Sequence, residues 1–255
     1  MPDVRQWRTS VTEIADGTIN YRGEPIAGLI ESAGLADSLW LVLFGTTPTA
    51  GQADALRRSL IAALDHGVTA PSTMTARAIA STRSSIPFAV AGGLIAFAGP
   101  AHGGAAEEAA KLFVDIHEHG EGGTLDARVE SKVLPLLAQK VRIAGYGHPY
   151  HHVDPRVVPL MDGTEAQRDY REIAKAVERV VETATGKSLP MNADAAVAGL
   201  LLDAGLLPTD VTLVTGLGRA FGLAAHAREE QLYEKPFRAP GLDTVTYVAA
   251  ERVEV

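Results

Sequence analysis

Residues 164–186 read Thr-Glu-Ala-Gln-Arg-Asp-Tyr-Arg-Glu-Ile-Ala-Lys-Ala-Val-Glu-Arg-Val-Val-Glu-Thr-Ala-Thr-Gly, and this stretch decides the fold class. Tyr170, Ile173, Ala174, Val177, Val180, Val181 and Ala184 recur at helical steps, so they share one face of a helix. Thr164 and Gln167 have the spacing of a capping box, and Gly186 supplies a left-handed residue to end the helix.

Helical signals continue on both sides. Downstream, a helix follows Asn192 with Ala196, Val197, Leu200, Leu201 and Ala204 on one face, and another covers roughly Thr212 to Leu232. Upstream, Thr49 and Gln52 form a second capping box, followed by Leu56, Leu60, Ile61 and Leu64. Gly67 is the expected stop, which leaves His66 at that helix's C-terminus. A further helix-like run covers Ala105 to Phe113. Strand is confined to the ends. Thr9–Ile14 and Thr18–Tyr21 flank the turn pair Asp16-Gly17, and the tail from Thr244 to Ala249 alternates as a strand does. The expected fold class is all-α with a small N-terminal β-hairpin.

The chain has 255 residues, enough for one large or two intimate domains. It is 46% hydrophobic and only 5% aromatic, so the core is aliphatic and rich in alanine, which suits close helix packing. The net charge of −8 argues against nucleic acid or an anionic membrane as the main partner, while leaving room for a local basic pocket. With no cysteine, disulfides, zinc–thiolate sites and thiol nucleophiles are excluded. The polar N-terminus lacks an apolar signal core, and the apolar run from Ile86 to Ala98 is too short to span a bilayer. The expected location is the cytoplasm.

The chemistry-bearing residues sit in compact Gly/Pro frames: Asp65-His66-Gly67, Gly99-Pro-Ala-His102-Gly-Gly104, Gly145-Tyr-Gly-His148-Pro149, Asn192-Ala-Asp194 and Gly218-Arg219-Ala-Phe-Gly222. Enolate chemistry on a thioester needs such a set. A carboxylate moves the carbon-bound proton, a neutral donor holds the enolate oxygen, and a second acid/base serves the carbonyl or alkoxide of the other partner. Each residue also has a plainer reading. His66 is a cation favoured by a helix C-terminus, His102 an ordinary turn residue, Asp194 a helix-start partner, and Arg156 one half of an ion pair with a surface carboxylate. His148, His151, His152 and Asp154 offer metal-ligand types, but Pro149 disfavours the helix that would align them, and no metal is expected. The loop His119-Gly-Glu-Gly-Gly carries acids and no Lys-Ser/Thr, so it is not a phosphate cradle.

The ordered set resembles the citrate synthase superfamily over roughly residues 8–250. The matching segments are Gly-Pro-Ala-His102-Gly-Gly, Gly-Tyr-Gly-His148 with Asp-Pro-Arg156, Asn-Ala-Asp194, and Arg219-Ala-Phe-Gly-Leu-Ala-Ala-His. Asp65-His66-Gly67 with Pro71-Ser72, and Leu232-Tyr-Glu-Lys-Pro236, resemble the short citryl-CoA lyase branch. The resemblance implies a two-domain helical fold, with residues 1–103 and 206–255 as the large domain and 104–205 as the small one on the coenzyme A side of a cleft. It implies a homodimer or higher homo-oligomer and no tightly bound cofactor. A coenzyme A thioester and a small di- or tricarboxylate are the ligands.

Roles follow from the same resemblance. Asp194 resembles the carboxylate that exchanges the acetyl methyl proton, His102 the donor to the enolate oxygen, and His148 the acid/base on the oxaloacetate carbonyl or citryl alkoxide. His66, Arg156, Arg219 and Arg238 resemble ligands of the dicarboxylate, for which the planar arginine fork is suited. Ile143, Ala144, Gly145, Tyr146 and Gly147 resemble the backbone strip that receives the adenine of coenzyme A. The implied activity is cleavage of (S)-citryl-CoA to acetyl-CoA and oxaloacetate. The alternatives are condensation of acetyl-CoA with oxaloacetate or another 2-oxo acid, and a non-catalytic acyl-CoA-binding subunit. Two departures bear on this choice. Pro149-Tyr-His151-His152 replaces the arginine-containing segment of many citrate synthases, whereas His102 is retained where the animal ATP-citrate lyase domain lacks a histidine.

Overall fold

The computed structural model describes residues 7–148, 152–163 and 167–248. Their contacts divide them into two compact units. Unit 1 is built from residues up to Leu64 and from Ala98–Gly218, and unit 2 from Asp65–Phe97 and the residues from Arg219 on. These units do not follow the domain boundaries expected from the resemblance. Residues up to 64, 98–103 and 206–218 cluster with the 104–205 segment by contact, while the expected boundaries concern the sides of a ligand cleft.

Unit 1 opens with a small antiparallel sheet of β1 (Thr12–Ala15), β2 (Thr18–Tyr21) and β3 (Glu24–Pro25), in that order. The Asp16-Gly17 turn closes the expected hairpin, with Gly17 at φ 72° and Ala15 opposite Thr18. The third strand was not expected. It is formed by a second two-residue turn at Arg22-Gly23, both at positive φ, in the left-handed conformation that matches strand twist. Arg22 holds that conformation through bonds from its guanidinium to the Val42 carbonyl and the Ser10 hydroxyl.

The helices α1 (Ile26–Ser32), α2 (Leu35–Phe44) and α3 (Ala50–Ala63) follow. Buried Trp40 on α2 packs its ring 4.7 Å from that of Phe44. The Thr49–Gln52 capping box that starts α3 is formed in both directions, at 2.9 and 3.1 Å. The helix ends before the expected stop, however. Leu64 is its C-cap, and Asp65-His66-Gly67 lies beyond it in a separate turn.

The rest of unit 1 comprises α6 (Gly104–His119), α7 (Leu125–Ala138), α8 (Val157–Met161), α9 (Asp169–Thr185), α10 (Ala193–Asp203) and the first part of the long helix α11 (Pro208–Tyr233). The stripe read from the sequence is the buried face of α9: Ile173, Ala174, Val177, Val180 and Val181 face the core, and Gly186 ends the helix at φ 64°. The start differs from expectation. Thr164 lies outside the described residues, and α9 begins at Asp169, so Gln167 is not its third residue. Helix α10 is buried along its length except at Asp194, which makes it the central rod of the unit, flanked by α3, α6, α8 and α9. Close approach of α9 is possible because Gly199 has no side chain. A Cβ there would meet the backbone of Arg171 at 3.3 Å. At this crossing Arg171 and Asp203 form a fully buried ion pair at 2.6 Å, and Arg171 also donates to the carbonyls of Met161, Gly163 and Gln167.

Unit 2 consists of α4 (Pro71–Ser81), α5 (Ile86–Phe97) and the remainder of α11, around Ala76, Ala80, Ala89, Leu223 and Ala227. The expected strand in the tail is absent among the described residues. Leu242–Thr244 is a single 3-10 turn, and residues 245–248 are irregular with Tyr247 exposed. An alternating sequence becomes a strand only beside a partner strand, and none accompanies this one. No described helix is long and apolar enough to cross a membrane.

Candidate active site

Of the candidate residues, His102, His148, Arg156, Asp194 and the 143–147 loop lie in unit 1, and His66, Arg219 and Arg238 lie in unit 2.

In unit 1 the start of α10 organises the site. Asn192 is its N-cap, and the side-chain oxygen accepts from the backbone N–H of Asp194 at 2.9 Å. The preceding N–H, that of Ala193, donates at 3.1 Å to Oδ2 of Asp154. Asp194 therefore sits in a first turn whose two leading amides are both satisfied. The loop carrying His148 is stitched to the same place. Tyr146 bridges Met191, the N–H of Gly147 donates to the Pro190 carbonyl at 2.8 Å, and the N–H of Asn192 donates to the Gly145 carbonyl at 2.9 Å. The Nδ2 of Asn192 donates to the Gly147 carbonyl, also at 2.9 Å.

Sequence explains why this loop fits. Gly145 and Gly147 have φ values of 86° and 82°, and a Cβ at Gly145 would lie 2.6 Å from that of Ala195. Ile143 and Tyr146 anchor the strip in the core, and the buried Tyr146 hydroxyl donates to the Ala174 carbonyl at 2.7 Å. Burial pushes that phenol well above its usual range, with Glu178 adding to the rise, so it stays a neutral donor.

Arg156 is held by Asp154, which is 1% exposed, through Nε at 2.9 Å and Nη2 at 2.7 Å. Burial alone would raise the Asp154 carboxyl. The bonds from Arg156 and from the Ala193 N–H outweigh it and lower the value to about 2. The plain ion-pair reading of Arg156 therefore describes its resting contacts, although its partner is buried rather than on the surface. The same pair engages the Asp154 of the alternative metal set. His151 of that set lies outside the described residues, and no group of three or more possible ligands occurs among the described ones.

His102 lies in the turn that opens α6. The Gly99 carbonyl accepts from the N–H groups of His102 and Gly104 at 2.9 and 3.1 Å, and α6 packs on α10. Small neighbours make the turn tight, and a Cβ at Gly104 would meet the Gly99 carbonyl oxygen at 3.0 Å.

In unit 2 the turn bearing His66 is fixed by its neighbour. Asp65 accepts from the Gly67 N–H at 3.0 Å and pairs with Nε2 of His226 at 3.1 Å. The Nδ1 of His226 lies 3.3 Å from Nη1 of Arg77, an arrangement that suits the tautomer with its proton on Nε2. Burial acts to raise the Asp65 carboxyl, but the bonds from Gly67 and His226 hold it below its ordinary value. In the sequence His226 is only the last residue of the Arg219 motif. Its contact with Asp65 spans 161 positions, so no local pattern could have announced it.

Arg219 is buried, with its guanidinium 5.3 Å from the centre of the Phe97 ring. Arg238 donates from Nε and Nη2, one edge of its guanidinium, to the two oxygens of the buried Glu230 carboxylate, each at 2.8 Å, and Arg77 reaches the same carboxylate at 2.8 Å. The Arg238 bonds, joined by Arg77 against the opposing effect of burial, keep Glu230 below the usual carboxylate range.

A helical scaffold sets an aspartate at a helix start beside a glycine-framed histidine loop, and comparison with known proteins gives the family of this arrangement. Residues 47–239 match the family described as citrate synthase, C-terminal domain, and the chain belongs to the citrate synthase family. A citrate synthase from Saccharolobus solfataricus is 33% identical over 208 residues, covering 78% of this chain and 53% of that protein. The chain thus spans about half the length of the curated relatives it matches. Among solved structures, citryl-CoA lyase from Hydrogenobacter thermophilus is similar with a TM-score of 0.85 and 30% identity, covering 98% of each chain. Citrate synthase from the archaeon Thermoplasma acidophilum, in ternary complex with carboxymethyl coenzyme A and oxaloacetate, gives a TM-score of 0.70 at 27% identity over 88% of this chain and 60% of that one.

Proposed function

We propose that this chain cleaves (S)-citryl-CoA to acetyl-CoA and oxaloacetate through a thioester enolate. The observation that carries the reading is the similarity to citryl-CoA lyase over 98% of both chains at 30% identity. In the proposed mechanism His148 takes the hydroxyl proton of citryl-CoA as the adjacent C–C bond breaks. The bonding electrons pass into the thioester, giving oxaloacetate and the acetyl-CoA enolate. His102 donates a hydrogen bond to the enolate oxygen, and Asp194 delivers a proton to the carbon. The thioester is the electron sink, so the chemistry needs no redox partner.

His66, Arg156 and Arg219 are proposed to bind the carboxylates. Arg238 would do so only by exchanging Glu230 for substrate, and Arg156 by sharing its fork with Asp154. Residues 143–147 are proposed to receive the adenine of coenzyme A. The division into a large domain (1–103, 206–255) and a small domain (104–205), a homodimer or higher homo-oligomer, and a cytoplasmic location belong to the same proposal. Condensation of acetyl-CoA with oxaloacetate or another 2-oxo acid is the second reading, favoured by the 33% identity to a citrate synthase.

The test is incubation of purified protein with citryl-CoA, and separately with acetyl-CoA and a panel of 2-oxo acids, followed by mass spectrometry. Acetyl-CoA and oxaloacetate from citryl-CoA are expected. Free coenzyme A with a citrate-type product from acetyl-CoA would favour the synthase reading, and binding without any product would leave an acyl-CoA-binding subunit.

A further inference from the structure

We infer that Asn192 is a positioning residue that sets the separation of His148 from Asp194. The inference rests on the proposed roles of those two residues, and its argument is geometric. One primary amide serves both segments. Its oxygen takes the N–H of Asp194 at 2.9 Å, and its NH2 gives a bond to the carbonyl of Gly147, the residue before His148, at 2.9 Å. The backbone of Asn192 adds a third tie, from its N–H to the Gly145 carbonyl at 2.9 Å. The side chain is nearly buried, so its rotamer is fixed by its surroundings.

Helix capping alone does not call for this side chain. Serine and aspartate cap a helix about as well, because capping uses only an acceptor. Aspartate has no donor for Gly147, and serine has one short hydroxyl where the amide presents separate O and N atoms to the two partners. The donor half of the amide therefore acts on the histidine loop.

The proposed reaction explains why the distance matters. His148 removes a proton from the hydroxyl on one carbon, and Asp194 protonates the carbon released from the bond to it. Both groups must be in place across one short fragment, and an error of about 1 Å in such a placement costs on the order of 10²-fold in rate.

The experiment compares Asn192→Ser and Asn192→Asp with wild type in the full chain. Both variants keep an acceptor for the Asp194 N–H and lose the amide NH2 that reaches the Gly147 carbonyl. Tm should stay within about 4 °C, the shift for roughly 1 kcal/mol in a chain of this size. Turnover of citryl-CoA should fall roughly 10- to 100-fold in kcat with KM within about threefold, the pattern of an interaction used in the transition state. Exchange of acetyl-CoA methyl protons with deuterated water, measured with a non-reactive oxaloacetate analogue, needs Asp194 but no C–C chemistry. It should stay within about threefold of wild type.

Wild-type kcat in both variants would overturn the inference by showing that the Gly147 tie is idle. Parallel loss of Tm, turnover and exchange would overturn it too, by making Asn192 a structural cap. A wild-type protein with neither turnover nor exchange would instead remove the proposed function, and the inference with it.

Discussion

Arg156 closes two nitrogens on Asp154, and the same carboxylate caps the helix that carries Asp194: Oδ2 lies 2.7 Å from Nη2 of Arg156 and 3.1 Å from the Ala193 N–H. One buried acid thereby orients a cation proposed to bind the substrate's carboxylates and supports the helix start of a proposed proton donor.

The contribution of that acid to stability should depend on pH in a defined window. Its folded value of about 2 lies below the ordinary 3.8, so its stabilisation is fully present above 3.8 and lost as pH falls through about 2. The shift corresponds to at most roughly 2 kcal/mol, reduced by screening at the partly exposed Arg156. Urea unfolding of wild type and Asp154→Asn should show a gap at pH 7 that narrows between pH 4 and pH 2. A gap that stays constant over that range would mean the carboxylate charge is not its source.

The pair Arg171–Asp203 should behave as a buried unit. Arg171→Met leaves the Asp203 carboxylate uncompensated and should cost about 3–5 kcal/mol, whereas Arg171→Met with Asp203→Leu should regain most of it. Denaturant unfolding of the double-mutant cycle measures the coupling. Additive losses would show that the two charges do not depend on each other.

Asp194→Asn should lower citryl-CoA turnover by roughly 10²- to 10⁴-fold, the usual effect of losing a general acid or base. The fold should survive, because Asn192 and Asp154 cap the leading amides of the helix. Circular dichroism and coenzyme A binding check the second half. Turnover within threefold of wild type would remove Asp194 from the mechanism.

Arg219→Leu should weaken binding of the dicarboxylate far more than that of coenzyme A. A charge-assisted bond is worth about 1.5–3 kcal/mol, or roughly 10- to 200-fold in affinity. Arg219→Lys should also be impaired, since lysine lacks the planar fork. Calorimetric titration with each ligand decides it, and equal losses for both would mark Arg219 as structural.

His102 and His148 should be separable by proton exchange into acetyl-CoA in the presence of a non-reactive oxaloacetate analogue. His102→Ala should suppress both exchange and turnover, because the enolate loses its donor. His148→Ala should suppress turnover and largely spare exchange. Equal loss of exchange in both variants, with the analogue still bound, would require the two roles to be reassigned.

What the sequence disclosed, and what it did not, divides by range. The α9 stripe from Ile173 to Val181, its Gly186 stop and the Thr49–Gln52 box were legible because neighbours within one turn make them. The early end of α3 was not, since Gly67 marked a plausible stop while the Asp65 turn is held from residue 226. The ion pair of Arg238 was hidden for the same reason. Its partner Glu230 is nearby in sequence, but only the fold shows that Glu230 is buried and already shared with Arg77. The frames around His148 and Asp194 were visible as motifs. The amide that joins them was not, because a capping asparagine carries no local mark of a second bond.

Trp40 has a practical consequence. The chain contains two tryptophans, Trp7 and Trp40, and both belong to unit 1; Trp7 is fully exposed and Trp40 is buried against Phe44. Tryptophan emission, excited at the red edge where tyrosine does not absorb, thus has one environment-sensitive source and does not report melting confined to unit 2. Far-ultraviolet dichroism sums the helices of both. Superposing the two denaturation curves turns the uneven placement of one fluorophore into an assay of whether the units melt together, with no label attached.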